Sequence, residues 1–398
     1  MVEVAIVGAG PSGLIAARDL ARLGVSVTVY EEHTTIGEPN HCAGILSVEG
    51  LERLDVDPSP EFLQHEVRGG TAYSPNRTPL RIKGNMTKAY IVDRTAFDRN
   101  LANSALDAGA EIRTGCRVTG LMVKGGHVQG VLGPSGAEEA HVVLDCEGIS
   151  GTLARQQGFQ TPRDGVLAGV NVEISGVEVE PNMVEVWMGS FVLGLFAWTV
   201  PTGESSLRCG LACSGGDPVE RLQGFLRRRF GEVEHSDPKV WPVLTGGPVE
   251  RTYGEGLLLV GDVAGQVKPT TGGGVIMGGI CARMAAETAV EALETDDASS
   301  MVLKDYENKW RKALNHEFNA MLRARRFANL ISDDRLNRLF ASARDASLEG
   351  RLEALVEEGD MDMQSDVMLA ALTDPGMVGV LMRSLGNLLY LELRTLFP

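Results

Sequence analysis

The sequence of 398 residues is poor in positive charge, in aromatic residues and in paired cysteines. It has 37 Lys and Arg against 53 Asp and Glu, and the formal net charge of −16 argues against a nucleic-acid partner, because phosphate binding needs a clustered basic surface. The six cysteines form no CxxC pair, so no metal site is predicted, and their spacing is typical of a reducing compartment. No apolar run reaches the roughly 18 residues of a membrane-spanning helix.

The composition is otherwise that of a globular protein. Hydrophobic residues make up 43% of a chain long enough for two or three domains. The first residues, VEVAIVGAG, have the pattern of a strand, so a signal peptide is not expected. We therefore predict a cytoplasmic protein that is either free or attached peripherally to the inner face of the cell membrane.

The first chemical signature is GAGPSG, a GxGxxG loop between a strand and an apolar-periodic helix. Gly8 allows the tight turn, Gly10 lets the backbone approach a pyrophosphate, and Gly13 allows the helix and strand to pack closely. The helix N-terminus offers free N–H groups and partial positive charge to the diphosphate. Glu31 ends the next strand, where a carboxylate accepts hydrogen bonds from ribose hydroxyls. The ligand is thus FAD or NAD rather than NADP.

A second glycine-rich loop, GDVAGQVKPTTGGGVIMGG, follows the strand-like run 257–260. Asp262 can accept hydrogen bonds from a ribityl chain, which FAD has and NAD lacks. The small residues 269–274 can lie against an isoalloxazine ring, and a helix from Val275 points its N-terminus at the flavin edge where negative charge accumulates on reduction. The two loops together predict one bound FAD.

The remaining patterns predict an α/β fold class, α+β overall. We expect a discontinuous Rossmann-like FAD-binding domain at 1–160 and 248–295, because strand, glycine loop, helix and strand follow one another there. The valine-rich alternation from 166 to 213 predicts an antiparallel-sheet substrate domain inserted at 161–247. A C-terminal helical region occupies 296–398.

Several segments carry a resemblance to a known family: VAIVGAGPSGLIAARDLA, GEPNHCAGILS, YIVDRTAFDRNLANSALDAGAEI, LLLVGDVAGQVKPTTGGGVIMGG and GDMDMQSDVML. With them the chain resembles the geranylgeranyl reductase family, within the para-hydroxybenzoate hydroxylase-like flavoproteins, and in particular the archaeal digeranylgeranylglycerophospholipid reductases. LDCEGISGTLAR resembles the middle fingerprint of flavin hydroxylases, with Glu147 and Gly148 where that fingerprint carries Asp-Gly. The resemblance implies an FAD-dependent oxidoreductase that saturates C=C bonds in the isoprenoid chains of membrane lipids.

The resemblance also implies FAD contacts. They fall on Ser12, Glu31, Cys42, Ala43, Arg94, Val118, Asp262, Gly274 and Val275. Arg94 would supply a fixed positive charge beside the cofactor, although a surface helix position is an open alternative. Val118 would supply a backbone edge for adenine.

The family's substrate-domain signature, P-x-x-Y-x-W-x-F-P, falls on LGLFAWTVP. Trp198 and Pro201 are retained, while Phe196 replaces the tyrosine and so removes its hydroxyl. Phe196, Trp198 and Pro201 are therefore predicted to contact substrate through an apolar wall, with a plain core position for Trp198 as the alternative. A long isoprenoid chain needs an apolar tunnel, for which MVEVWMGSFVLGLFAW and the helices beyond residue 275 are candidates.

Reduction of an isolated alkene needs a hydride from flavin N5 and a proton, because no carbonyl polarises the bond. Cys42 is the candidate proton donor, since free thiols are mostly protonated at neutral pH. The alternative is that Cys42 only packs against the ring. His41 is adjacent, but neighbouring residues of an extended chain face opposite ways.

The sequence is compatible with several partners and with several competing functions. The electron donor is ferredoxin, NAD(P)H or a deazaflavin. Arg227–Arg229, the cluster of Arg323, Arg325 and Arg326, and the apolar tail 377–398 are candidates for peripheral membrane contact, against solvated faces and internal packing. Alternative functions are a flavin monooxygenase or halogenase acting on a hydrophobic substrate, an electron-transfer flavoprotein–quinone oxidoreductase, and a flavin-carrying lipid-binding protein without turnover.

Overall fold

The computed structural model describes residues 2–386, in three β-sheets flanked by helices. The strands are β1 (Val2–Val7), β2 (Val27–Tyr30), β3 (Ile45–Ser47), β4 (Leu63–Val67), β5 (Gly69–Tyr73), β6 (Pro79–Lys83), β7 (Ala89–Val92), β8 (Glu111–Arg113), β9 (Gly120–Lys124), β10 (His127–Gly133), β11 (Gly136–Asp145), β12 (Val166–Ser175), β13 (Met183–Trp187), β14 (Ala197–Gly203), β15 (Ser206–Cys213), β16 (Lys239–Leu244), β17 (Tyr253–Gly254) and β18 (Leu257–Leu259).

The helices are α1 (Pro11–Arg22), α2 (Val48–Arg53), α3 (Arg94–Asp107), α4 (Thr152–Gln156), α5 (Pro218–Phe230), α6 (Val275–Glu294), α7 (Ser300–Ala328), α8 (Asp333–Asp345), α9 (Glu349–Glu358), α10 (Ser365–Thr373) and α11 (Pro375–Leu385). From Val275 onward, all the regular structure within the described residues is helical. The tail beyond Gly386, which the sequence made a candidate for membrane contact, lies outside the described residues.

The first sheet carries both glycine loops at one edge. Its order is β17-β18-β11-β1-β2-β8, with β10 and β9 attached to β11. β1 runs parallel to β2 and β11, and β11 runs parallel to β18. The carboxyl ends of β1 and β18 therefore face the same side, and the loops that follow them approach each other there, as ligand-binding loops do in open α/β sheets.

Helices α1 and α6 pack together over this sheet because small residues let them approach. A Cβ atom on Gly261 or Gly278 would come within 2.6 or 2.5 Å of Ser12 Oγ. Only glycine fits at either position without displacing Ser12. The close packing brings the N-termini of the two helices to one region, directly after the two glycine loops.

The second sheet stands apart and has the order β16-β12-β15-β14-β13-β5-β6. Neighbouring strands are antiparallel except β13 and β5, which are parallel, so the sheet is mixed rather than purely antiparallel as predicted. Its strands β5 and β6 also come from a segment that the prediction assigned to the FAD-binding domain. The valine alternation could not reveal them, because β5 (GGTAY) begins with two glycines and contains no valine. Glycine is needed there, since a Cβ on Gly69 would lie 2.3 Å from Ile82 O.

A small third sheet, β3-β7-β4, is formed by residues 45–92, a range that also contains β5 and β6 of the second sheet. The C-terminal helices follow all three sheets. The predicted α/β fold class, α+β overall, is confirmed. Within residues 2–386, no helix by itself combines the length and apolarity needed to cross a bilayer, and the α10–α11 pair reaches both only jointly, across an 81° bend.

Candidate functional site

A cavity of about 920 Å³ lies between the carboxyl edge of the first sheet and the second sheet. Its lining includes most of the predicted site residues: Gly8, Gly10, Ser12, Glu31, Cys42, Ala43, Arg94, Val118, Phe196, Trp198, Asp262, Gly274 and Val275. Gly13 and Pro201 lie outside the lining. Gly13 packs beneath the first loop, and Pro201 is buried in β14 opposite Leu207.

The first loop has the shape of a pyrophosphate cradle. Gly8 has a positive φ of 101°, and a Cβ atom there would lie 2.4 Å from Cys146 O. A Cβ on Gly10 would meet no atom of the described residues within 4 Å, so open space faces the backbone at the cavity wall. The N-cap residue of α1 is Gly10, which has no side chain to cap the helix. Its free N–H groups and partial positive charge fit a diphosphate.

Glu31 braces the first loop while facing the cavity. Its Oε2 accepts a hydrogen bond from Ala9 N at 2.8 Å, and Oε1 accepts one from His33 N at 2.8 Å. Each carboxylate oxygen can accept a second hydrogen bond. His33 Nδ1 also lies 2.6 Å from Oε1, so the acceptor site left on Oε2 is the one that suits a hydroxyl of an adenosine ribose.

The second loop presents an acceptor without a protein partner. The Asp262 side chain is exposed and lines the cavity, and its carboxylate accepts no side-chain hydrogen bond from the described residues. Desolvation within the cavity raises its pKa, and nearby Arg94 opposes that shift. A Cβ on Gly274 would lie 2.7 Å from Asp262 Oδ1, so the position needs glycine. α6 begins at Val275 without a side-chain cap, which leaves its N-terminus free as well.

This set of groups fits FAD. The cavity holds a cradle for the diphosphate, a carboxylate for the ribose and a second carboxylate for hydroxyls nearer the ring, and FAD carries all three partners. A second helix N-terminus also favours the negative charge that a reduced flavin acquires.

The loop that carries Cys42 is held from the second sheet. Asn171 Nδ2 donates to the carbonyl oxygens of His41 and Cys42, at 3.3 Å each. Buried Arg208 donates from Nη1 to the carbonyl of Ala43 at 2.9 Å. The half-buried Cys42 side chain therefore has a fixed position in the cavity wall. Sequence reasoning missed both clamps, because Asn171 and Arg208 are far from Cys42 along the chain.

Arg94 is an enclosed charge and not a surface helix residue. Its Nε and Nη2 atoms lie 3.0 and 3.1 Å from the two carboxylate oxygens of Asp98. Burial alone would lower the pKa of Arg94, but the Asp98 carboxylate and the Cys42 thiol beside it hold the pKa above its ordinary value. Arg94 thus stays positively charged next to both Cys42 and Asp262.

The other half of the cavity is apolar. Phe196 and Trp198 meet edge to face with ring centroids 6.2 Å apart, and Trp241 extends the same wall. Val184 and Val200 complete it. The indole Nε1 of Trp198 is buried and finds no partner among residues 2–386. A hydrocarbon chain fits this half, since apolar walls bind such chains through burial of surface.

The late motif GDMDMQSDVML fastens the second glycine loop. Lys268 Nζ lies 2.6 Å from Oδ1 of Asp362, whose other oxygen accepts the hydroxyl of Ser47. Gln364 Oε1 accepts a hydrogen bond from Thr270 Oγ1 at 2.8 Å. The motif was visible in the sequence, but its partners were not, because they lie more than ninety residues earlier.

Glu147, which replaces the aspartate of the middle fingerprint, caps a helix. Its Oε1 accepts hydrogen bonds from Leu153 N at 2.7 Å and Ala154 N at 3.4 Å. The N-cap position of α4 is Gly151, which has no side chain to do this. The extra methylene of glutamate supplies the reach for that contact.

Comparison with known proteins agrees with this geometry. The model of the FAD binding domain family matches residues 1–316. Digeranylgeranylglycerophospholipid reductase 2 of Methanothermobacter thermautotrophicus is 34% identical over 363 residues, which cover 88% of this chain and 92% of the relative. Digeranylgeranylglycerophospholipid reductase of Methanocaldococcus jannaschii is 30% identical over 361 residues, with 87% and 92% covered.

Solved structures show the same fold. A geranylgeranyl bacteriochlorophyll reductase-like protein from Thermoplasma acidophilum superimposes with a TM-score of 0.84 at 22% identity, over 99% of both chains. A flavin-dependent brominase gives a TM-score of 0.70 at 17% identity, over 92% of this chain and 95% of the brominase. The predicted cofactor, FAD, is confirmed by the family match.

Proposed function

Since the chain belongs to the FAD binding domain family and to the family of the digeranylgeranylglycerophospholipid reductases, we propose that it is an FAD-dependent oxidoreductase that saturates C=C bonds in geranylgeranyl chains of membrane lipids. One observation carries the proposal. One cavity has a polar half lined by both glycine loops and an apolar half lined by Phe196 and Trp198, and Cys42 lies in its wall.

The chain's own groups would hold the cofactor at both ends. The first glycine loop and the N-terminus of α1 would hold the diphosphate, and Glu31 would accept a hydrogen bond from the ribose. Asp262 would accept hydrogen bonds from the ribityl hydroxyls, and the N-terminus of α6 would favour negative charge on the reduced flavin. When bound and reduced, FAD supplies the hydride. The protein's remaining tasks are to orient the alkene, exclude water and deliver a proton.

We assign the proton to Cys42 Sγ. Arg94 lies beside Cys42, so its guanidinium would face the sulfur once the proton has left. His41 is not the donor: burial first, then Arg94 and Lys239, lowers its pKa, so the imidazole is uncharged at neutral pH. Its ring lies 5.5 Å from that of Trp241, where it forms part of the wall.

The apolar half would receive the isoprenoid chain. Phe196 and Trp198 contact it directly, and Pro201 supports the wall from within β14. The substrate domain, proposed at 161–247, would include strands β5 and β6 as well. It would join the FAD-binding domain, proposed at 1–160 and 248–295 and now without these two strands, and the C-terminal region proposed at 296–398, which is helical as far as the structure describes it.

The electron donor and the membrane contact complete the proposal. Ferredoxin, NAD(P)H and a deazaflavin are the candidate donors. No second GxGxxG loop follows a strand in the sequence, which favours a donor without a dedicated domain on this chain. Attachment to the membrane would be peripheral.

The test is an anaerobic mixing experiment. The holoenzyme is reduced with dithionite and mixed with an unsaturated geranylgeranyl diether lipid, while flavin absorbance is followed. We expect reoxidation with the unsaturated lipid and none with its saturated counterpart. If the flavin stays reduced with the lipid, a second assay supplies NADPH and oxygen to the enzyme. Rapid consumption of NADPH in that assay would identify a monooxygenase instead.

A further inference from the structure

A loop of the second sheet and the end of α7 run side by side at the border of the cavity. Arg325 Nη2 donates to the carbonyl of Gly194 at 2.6 Å, and the backbone N–H of Ser190 donates to Asp333 Oδ1 at 2.8 Å. The two contacts anchor both ends of the segment that follows α7. The next residue of the loop, Leu195, lines the cavity. This pair of segments therefore forms part of the cavity's outer rim.

The rim exposes apolar side chains. Leu193 is 50% exposed and Leu330 is 65% exposed. Leu193 lies between the anchors at Ser190 and Gly194, and Leu330 lies between those at Arg325 and Asp333. A single exposed leucine needs no explanation, but two on adjoining segments beside an apolar cavity form a surface that favours an apolar partner.

Arginines surround the same surface. Arg228 lies over the ring of Phe191 at 5.0 Å, and Arg221 donates to the Phe191 carbonyl at 2.7 Å. Among the described residues, Arg325 donates to two carbonyl oxygens, those of Gly194 and, at 3.2 Å, of Pro269. Within residues 2–386 no carboxylate forms an ion pair with any of these guanidiniums. On a chain of net charge −16, such a cluster selects an anionic partner.

We propose that the rim surface, formed by Phe191, Leu193, Arg228, Arg325 and Leu330, docks on the anionic face of a lipid bilayer. Exposed leucines would enter the interface while arginines meet the lipid phosphates, which is the combination that holds proteins on membranes. The inference rests on the proposed function, since a membrane lipid must leave the bilayer to enter the cavity. An acidic protein partner would use the arginines but would leave the two leucines at the cavity edge without a role.

Vesicle sedimentation of the FAD-loaded protein tests this surface. Vesicles of phosphatidylglycerol mixed with phosphatidylcholine are compared with vesicles of phosphatidylcholine alone. We expect binding to the anionic vesicles only, and release at high salt. Leu193→Asp with Leu330→Asp, and separately Arg228→Glu, should each weaken binding about tenfold or more.

Matched control variants lie elsewhere on the surface. Arg251→Glu also removes an exposed arginine stacked on a phenylalanine, at 4.8 Å from the Phe159 ring. Met301→Asp changes an 85% exposed residue that lies about 36 Å along α7 from Arg325. Both control proteins should bind vesicles as the unaltered protein does.

The proposal is overturned if the unaltered protein fails to bind anionic vesicles, or if the rim and control variants lose binding equally. Reduction of detergent-dispersed lipid separates this outcome from failure of the proposed function. Leu193, Arg228 and Leu330 do not line the cavity, although the sequence made the segment around Leu193 a tunnel candidate. The rim variants should therefore keep that activity and lose only the activity on vesicles. If the unaltered protein reduces no dispersed lipid but the vesicle results hold, the proposed function fails and the docking surface stands.

Discussion

Lys268 of the second glycine loop and Asp362 of the C-terminal region form a buried ion pair, with 2.6 Å between Nζ and Oδ1. The two side chains are 12% and 1% exposed. The segment that would face the flavin ring is therefore positioned by a part of the chain 94 residues further on. The cavity wall that would face the flavin ring therefore depends on the C-terminal region as well as on the Rossmann-like sheet.

Loss of the ion pair between Lys268 and Asp362 should lower the free energy of unfolding strongly. Asp362→Asn leaves the Lys268 ammonium buried without a counter-charge, which typically costs about 3–5 kcal/mol. Urea unfolding measures the loss. Asp374→Asn is the control, because Asp374 pairs with exposed Arg351 and its side chain can still cap α11 as Asn, so this variant should lose clearly less free energy of unfolding. Equal losses for the two variants would contradict the buried pair's importance.

Asp262 should bind the cofactor without stabilising the apoprotein. Asp262→Asn removes a carboxylate that lines the cavity and has no side-chain partner among the described residues, so the apoprotein should lose no free energy of unfolding. It also removes a charged acceptor worth about 1.5–3 kcal/mol per hydrogen bond, so FAD should bind at least about tenfold more weakly. Urea unfolding and a fluorescence titration with FAD check both effects. Unchanged FAD affinity would remove Asp262 from the cofactor site.

Asp145 should make stability depend on pH. It is fully buried with Oδ2 unpaired among the described residues, and burial, then the nearby Glu147, raises its pKa well above the ordinary value. The folded state thus holds this proton more tightly than the unfolded state. The free energy of unfolding must then fall as pH rises from about 4 toward the raised pKa.

The variant Asp145→Asn isolates that contribution. Its Oδ1 can still accept the hydrogen bond from Glu147 N, which is 3.1 Å long in the unaltered protein. We expect the variant to exceed the unaltered protein in stability at mildly alkaline pH, and the difference to shrink in acid. Urea unfolding across the pH range measures it. A difference that is constant with pH would show that Asp145 does not titrate between the two states.

Cys42 should affect the chemical step and not cofactor binding. Serine has a similar size but is a far weaker acid, so Cys42→Ser should slow alkene reduction by about 100-fold or more, as loss of a general acid does. FAD content and anaerobic single-turnover rates are the measurements. Cys116→Ser, outside the cavity lining, is the control. A full rate for Cys42→Ser with FAD bound normally would leave Cys42 only a packing role.

The sequence predicted those parts of the site that depend on local pattern. Gly8 and Gly274 were assigned from neighbours a few residues away, and the structure shows tight contacts at both. The clamps on the Cys42 loop and the partners of Asp362 join residues 94 to 315 positions apart, so no local pattern contains them. Glu147 marked a departure from the flavin hydroxylase fingerprint, but its reason, a glycine at the N-cap of α4, needed the helix boundary.

The pairing of strands was the other limit. Alternation of valines revealed the inserted strands from Val166 to Cys213, whereas β5 and β6 joined the same sheet unseen. The two glycines that begin β5 give no alternating pattern of apolar residues, and a parallel neighbour can come from any distance along the chain.

Mass spectrometry of the lipid product tests the central claim most directly. FAD-loaded protein is reduced with dithionite and incubated anaerobically with an unsaturated geranylgeranyl diether lipid. The mass spectrum of the extracted lipid is then compared with that of lipid incubated without protein. We predict products heavier by the mass of H₂ for each double bond reduced, and less product with Asp262→Asn. Lipid of unchanged mass after complete flavin reduction, with FAD still bound, would contradict the assignment of this chain as a prenyl-lipid reductase.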